Sequence, residues 1–243
     1  MNQYKSLHKW MLIPFVVMQL GIFKDYWGDF LENAWSVHIH YWTGTIWYFY
    51  LIIQPYFATH GQLEKHRTNG IIGMFLAGGV CLTALSMMGR DMDRAIMSME
   101  RRDAFGPFEP WFFYGVAVLE IVMIISFGYA VIMSIIHQKN LENHAWWLIS
   151  TVFIIIEPAV ARGLQSIYVG INIENWPNVD IMIPFYFGQG LILLMIVGAA
   201  LKYGKMKHPT TYLAIAVNLF NCFLEPIGRS KSIQTFLEAF IIA

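Results

Sequence analysis

Histidines and carboxylates at or inside apolar stretches are the residues of this sequence best placed to do chemistry. His66 immediately precedes the third long apolar stretch, and His144 immediately precedes the fifth. If both stretches are helices running in the same direction, the two imidazoles enter at one depth. Facing imidazoles can ligate haem b or a transition-metal ion, or pass a proton. A histidine at a membrane interface is also tolerated with no ligand. His38 and His40 form a second candidate metal pair. Residues two apart lie on different faces of a helix, so one shared ion needs extended backbone there. Otherwise His40 points inward and His38 faces water, since apolar residues follow His40 directly.

A second group is acidic and basic. Glu120 and Glu157 sit inside the fourth and fifth stretches, and Glu225 near the end of the seventh. A carboxylate in hydrocarbon costs several kcal/mol unless it is neutral, paired or facing water. These groups are therefore expected to face a bundle interior, in a polar pocket for protons, an ion or a headgroup. Glu157-Pro158 precedes Arg162, and Glu225-Pro226 precedes Arg229, as a faint internal echo. Glu225 and Arg229 have the helical spacing for an ion pair along one face. Glu157 and Arg162 do not, unless Pro158 kinks the helix or the pairing crosses helices. Gln54, before Pro55, is placed to satisfy a carbonyl that the proline frees. Structural ion pairs explain these residues as well as a functional pocket does. The methionines of 87–99 could bind Cu(I), but methionines spaced like this more often pack an amphipathic loop helix on the membrane surface.

The elements that must position these groups follow from composition. Hydrophobic residues make up 57% of the chain and charged residues only 13%. Soluble domains carry about 25% charge, so a water-facing surface is not available from this chain. Mean hydropathy is +0.49. Net charge is zero, which gives no basis for nucleic-acid binding. Seven apolar segments are expected as transmembrane helices, at about 9–24, 40–58, 70–88, 110–136, 145–166, 183–201 and 210–227. The stretch 232–243 is too short to span and reads as an interfacial helix. A mixed-charge loop is expected over 89–109. The result is one all-α, polytopic membrane bundle of about seven transmembrane helices over 1–243. The short loops favour an N-terminus inside and a C-terminus outside. Trp35, Trp42, Trp111, Trp146, Trp147 and Trp176 fall near segment ends, as interfacial rings do. Cys81 and Cys222 lie in apolar runs and form no motif.

Several short motifs, taken in order, resemble the DUF2306-type predicted bacterial membrane proteins, a family of unknown function. They are Gly21-Ile22-Phe23-Lys24-Asp25-Tyr26, His38-Ile39-His40 leading to Trp47, Gln54-Pro55, Gly61 to His66-Arg67 with Gly70, and His144-Ala145-Trp146-Trp147 with Arg162. They cover roughly 20–165. Ala145 stands where that pattern carries a basic residue. The resemblance implies seven helices in a bacterial cytoplasmic membrane and no particular reaction. A more distant likeness is to cytochrome b561-like haem bundles, in which histidines on paired core helices hold haem near each face. It implies one haem at His66 and His144, since His40 lacks a histidine partner on the fourth segment.

Three functions stay open. One is a redox protein carrying haem or metal, with quinone as a partner. Another is an ion or proton transporter using Glu120, Glu157 and Arg162. The third is a non-catalytic subunit or assembly factor among other membrane subunits. The absence of a nucleophile motif, phosphate loop or HExxH argues against most hydrolases and ATPases. Whether the protein is an enzyme is left open by the sequence.

Overall fold

The computed structural model describes residues 4–241, apart from the side chain of Ile241. Regular structure among the described residues is helical throughout. The helices are α1 (Leu7–Trp10), α2 (Leu12–Gly21), α3 (Trp35–Thr59), α4 (Leu63–Glu100), α5 (Arg102–Phe105), α6 (Pro110–Ile136), α7 (Leu141–Ile155), α8 (Glu157–Ile171), α9 (Met182–Lys202), α10 (Pro209–Asn221), α11 (Leu224–Gly228) and α12 (Lys231–Ile241). Four helical segments are long and apolar enough to cross a membrane: Leu63–Glu100, Pro110–Ile136, Leu141–Ile171 and Met182–Lys202. Many of their large side chains point outward, Phe75, Ile125 and Leu194 among them. An all-α membrane bundle needs such a lipid-facing surface.

The remaining segments are less regular than the sequence suggests. The stretch 9–24 is divided between α1, α2 and a π-helical turn, Phe23–Gly28. The stretch 210–227 is two helices, α10 and α11, separated at Cys222 and Phe223. The expected loop at 89–109 is mostly helix, because α4 runs unbroken for 38 residues. That is about 57 Å, well beyond a hydrocarbon core of roughly 30 Å. Met88, Met92 and Ala95 are buried at helical spacing. They pack with Phe113, Tyr114, Ala117 and Leu237, so Met88 and Met92 are core residues rather than ligands. Amphipathic periodicity keeps the charged second half of α4 helical.

Helices alternate between two ends of the bundle. The near end holds the α3–α4, α6–α7 and α9–α10 connections, with Lys205 paired to Glu142 at 2.7 Å. The far end holds the connections around 29–34, 101–109 and 172–181. There the Trp176 indole donates to the Asp103 carbonyl at 2.9 Å. Side-chain hydrogen bonds stitch the interior: Trp47 to Thr151 at 3.2 Å, and Trp146 to Thr211 at 2.9 Å. Trp146 and Trp147 are therefore interior residues, both buried, and not the rim rings expected from the sequence. Trp35 and Trp42 are exposed.

Two features shape the far half. The helix path breaks at Ile156, just before Pro158, which divides the fifth segment into α7 and α8. Proline has no N–H and crowds the preceding turn. The Asn218 amide donates to the Phe153 carbonyl near this break, at 3.0 Å. In addition, α2 crosses α8 backbone to backbone. A Cβ on Gly21 would collide with the Ala159 carbonyl, and one on Gly163 would meet Gly21. Small residues permit such close helix crossings. The terminal helix α12 is amphipathic, with Leu237 buried and Phe236 and Phe240 exposed. Tyr114 donates to Glu238 across it at 2.5 Å. The last two residues of the expected interfacial stretch, 242–243, lie outside the described residues.

Candidate functional site: a charged cavity at the far end

One face of each of four helices turns toward a common space. From α3 come His40, Gly44 and Tyr48, four residues apart. From α4 come Val80, Ala84, Met87, Asp91 and Arg94. Helix α6 supplies Glu120, Met123 and Phe127, and α8 supplies Pro158 and Arg162. Steps of three and four residues keep each set on one helix face. The space has two parts. The deep part is a cavity of about 130 Å³, mostly apolar, closed on one side by Met18 and Ile22. The outer part is a vestibule of about 880 Å³ at the far end, lined by Lys24, Asp25, Asp29, Glu32, Glu157 and Gln165 among others. Tyr41, Arg90, Asp91, Arg94 and Arg162, with Met123 and Pro158, line both parts and form the neck between them.

The neck is unusual in its charge bookkeeping. Arg90, Arg94 and Arg162 face Asp91, Glu120 and Glu157, yet none of these six makes an ion pair within 4.0 Å among the described residues. Asp91, Glu120 and Glu157 each lie within the field of Arg162. Asp91 is 5% exposed, Glu157 5% and Glu120 9%. One carboxylate oxygen of Asp91, one of Glu120 and Nδ1 of His40 are buried with no hydrogen-bond partner. Buried polar groups are nearly always satisfied, by protein, by water or by a ligand. An arginine cannot shed its charge inside a protein, whereas a carboxyl can take a proton. With all three carboxyls ionised the six charges cancel, and each proton taken up leaves the neck more positive.

Arg162 is held in place from one side. Its guanidinium donates to the Tyr41 hydroxyl. Tyr26 stacks on Tyr41 with ring centroids 4.4 Å apart, and its hydroxyl meets Nδ1 of His38 at 3.0 Å. Tyr26 belongs to the π-helical turn and is fully buried. Thus Tyr26, His38, Tyr41 and Arg162, from three separate parts of the sequence, form one support. Trp176 lines the vestibule together with Ala104 and Phe105. Gly106, at φ +56°, leaves room for its ring, because a Cβ there would enter the indole.

The other sequence candidates fall elsewhere. The backbone at 38–40 is helical, so the extended geometry needed for one ion on His38 and His40 does not arise. His40 lines the deep cavity. His38 is buried against Tyr26 and Phe30 rather than facing water. Glu225 and Arg229 do pair, at 2.8 Å, but both are substantially exposed, and Arg229 also lies over Trp111 and 3.9 Å from Glu109. They form a surface pair and not part of the cavity. Gln54 is 1% exposed, with both amide atoms lacking a partner, and it lines neither part of the cavity. Of the expected polar pocket, Glu120, Glu157 and Arg162 come together, while Gln54, Glu225 and Arg229 do not.

Arg90, Asp91 and Arg94 fall in the mixed-charge stretch expected as a loop, and the structure places them on α4 instead. The available signal was their spacing. Arg90 and Arg94 are one helical turn apart, and Met88, Asp91, Met92 and Ala95 continue the apolar face of the span before them.

At the near end the rings of His66 and His144 are 6.1 Å apart, at an interplanar angle of 86°. Nδ1 of His144 donates to the Ser134 carbonyl at 2.9 Å, and the Ser134 hydroxyl donates to the His144 carbonyl at 3.1 Å. Nδ1 of His66 is buried without a partner. The other near-end histidines sit among aromatic rings: His8 against Tyr56 and His60, and His137 and His208 against Trp147. No group of three or more metal-ligating side chains occurs among the described residues.

No family model matches this chain, and neither a curated protein nor a solved structure is significantly similar to it.

Proposed function

We propose that this membrane bundle is a proton-linked carrier of a small anion, which enters the far-end vestibule and binds at Arg90, Arg94 and Arg162. The observation that carries this reading is the neck itself. Three permanent cations and three buried carboxyls share a cavity without pairing with one another. The three arginines are half-buried and face the cavity, so an anionic ligand there finds guanidinium donors that no carboxylate of the protein takes up. Guanidinium groups recognise carboxylate and phosphate oxygens through paired N–H donors. Asp91, Glu120 and Glu157 are the proton-exchanging groups, since a neighbouring anion and three cations alter the balance between their charged and neutral forms. In this reading α1–α2, α3 and α10–α11 complete a seven-crossing bundle with the N-terminus cytoplasmic, in a bacterial inner membrane. Kinship with the DUF2306-type proteins is part of the proposal.

The test is flux. Proteoliposomes are loaded at one pH and diluted into another, with labelled acetate or phosphate outside. The reading predicts uptake driven by the pH gradient, abolished by Arg162→Gln and uncoupled from pH by Glu157→Gln. Uptake no faster than in empty liposomes sinks it.

A second reading concerns the near end. His66 and His144 fit a two-histidine ligand pair for haem b or a transition-metal ion. What favours it is the Ser134 carbonyl at 2.9 Å from Nδ1 of His144. Ligating histidines are commonly oriented through their other ring nitrogen in this way, which here leaves Nε2 available. Such a group would supply one-electron transfer, to which quinone is a natural partner. Absence of both a Soret band and bound metal in protein purified from haem- and metal-replete cells rules this out.

A further inference from the structure

The anion site opens on its inner side into a compartment with the opposite chemistry. Past the neck, the deep cavity is walled by Met18, Val80, Cys81, Met87, Ile124 and Phe127. A bare inorganic anion has no use for that wall, and would bind at the neck with the deep cavity holding little it prefers. The deep cavity is also continuous with the neck, because Tyr41, Arg90, Asp91, Arg94 and Arg162 line both. A molecule occupying both compartments needs a charged end and an apolar end, joined directly.

We propose that the ligand is an anionic amphiphile. Its carboxylate or phosphate-ester head is held at Arg90, Arg94 and Arg162, and its hydrocarbon chain lies in the deep cavity toward Phe127. This inference rests on the anion reading of the neck and names the substrate class for it. The size of the deep part sets the chain. At about 130 Å³, it is on the scale of an apolar cavity of roughly 150 Å³ that takes benzene, so it accommodates a fragment of about six carbons. Buried Tyr48 bears a hydroxyl without a partner on the same wall, a position suited to a hydroxyl or carbonyl along the chain. The large vestibule lies on the side from which the head would enter and leave.

The experiment uses the full chain in nanodiscs of zwitterionic lipid, with empty nanodiscs subtracted. Acetate, hexanoate, inorganic phosphate and hexyl phosphate are titrated calorimetrically. The proposal predicts that each six-carbon compound binds tighter than its short counterpart, by on the order of ten- to a hundred-fold. The stronger of the two pairs identifies the head. Ala84→Phe, which fills the deep cavity, brings the hexanoate-to-acetate ratio close to one. A hexanoate analogue with a diazirine at its terminal carbon labels Met87 or Phe127 in the unaltered protein, a readout that does not depend on the variant folding. If acetate or phosphate binds and the chain adds nothing, the amphiphile is overturned while the anion site stands. If none of the four binds, both fall. Labelling scattered over the outward-facing apolar residues also overturns the amphiphile.

Discussion

The two ends of the bundle differ in the kind of polar group they leave inside. At the near end, His144 is tied to Ser134 through its ring and its backbone, Trp146 to Thr211, and Lys205 to Glu142. Neutral groups there still go without a partner, among them Nδ1 of His8 and His66, the Gln54 amide and the Thr210 hydroxyl, but none of these is a carboxylate or a guanidinium. At the far end, six charged groups surround a cavity with no ion pair among them. Stability alone would favour the first arrangement, because an unsatisfied buried polar group costs about 1–3 kcal/mol and a charged one more. Such a cost is characteristically kept where a ligand recovers it. That difference is the basis for the anion site proposed at the far end.

That contrast can be broken first at the wall of the cavity. Gly163→Leu forces α2 and α8 apart at a backbone-to-backbone crossing. Overpacking costs typically 1–3 kcal/mol, and here the nearest atoms are backbone and cannot turn aside. A drop in thermal stability in detergent is expected, together with loss of ligand binding at the far end. Unchanged melting would mean that the crossing is looser than described.

Ser134→Ala sharpens the other side. It removes the hydroxyl that holds the His144 backbone while leaving the Ser134 carbonyl in place. The expected cost is about 1 kcal/mol in stability. If a metal or haem is bound, its affinity falls by up to about ten-fold, at the low end of outer-shell effects. Far-end binding should not change, and a change there would mean that the two ends are coupled.

Gly106→Ala puts a methyl group at φ +56° and into the Trp176 ring. It should displace Trp176 from the vestibule wall at a cost of about 1–3 kcal/mol. Trp176 fluorescence, read against a Trp176→Phe blank, should shift toward that of an exposed indole. Glu225→Gln should have the smallest effect of these. Its pair with Arg229 is exposed, and such helix pairs contribute about 0.3–0.5 kcal/mol, so neither binding nor melting should move appreciably.

Much of this organisation was readable from residue types. Charge scarcity and apolar run lengths indicate a membrane bundle, and the cost of burying charge points Glu120, Glu157 and Arg162 inward. The positions of His66 and His144 at the starts of like-directed segments are consistent with rings 6.1 Å apart. Other features were hidden for physical reasons. The density of charge over 90–102 resembles a loop, yet the buried face of Met88, Met92 and Ala95 holds it helical. Arg90, Asp91 and Arg94 lie within that stretch. Trp146 and Trp147 look interfacial because tryptophan favours rims, but a threonine one helix away accepts the Trp146 N–H and lets the ring go inside. The support of Arg162 by Tyr41, Tyr26 and His38 needs a π-helical turn, which apolar periodicity does not reveal.

The central claim is that the far-end arginines, and not the near-end histidines, hold the ligand. Hexanoate and phosphate binding in nanodiscs should be compared for the unaltered protein, Arg162→Gln and His66→Ala, each checked for intact folding by circular dichroism. Arg162→Gln is predicted to weaken binding by about a hundred-fold or more, in line with the 1.5–3 kcal/mol of a charged hydrogen bond and the loss of one of three cations, while His66→Ala leaves it unchanged. Equal binding in the unaltered protein and Arg162→Gln, or loss of binding in His66→Ala alone, would contradict the account.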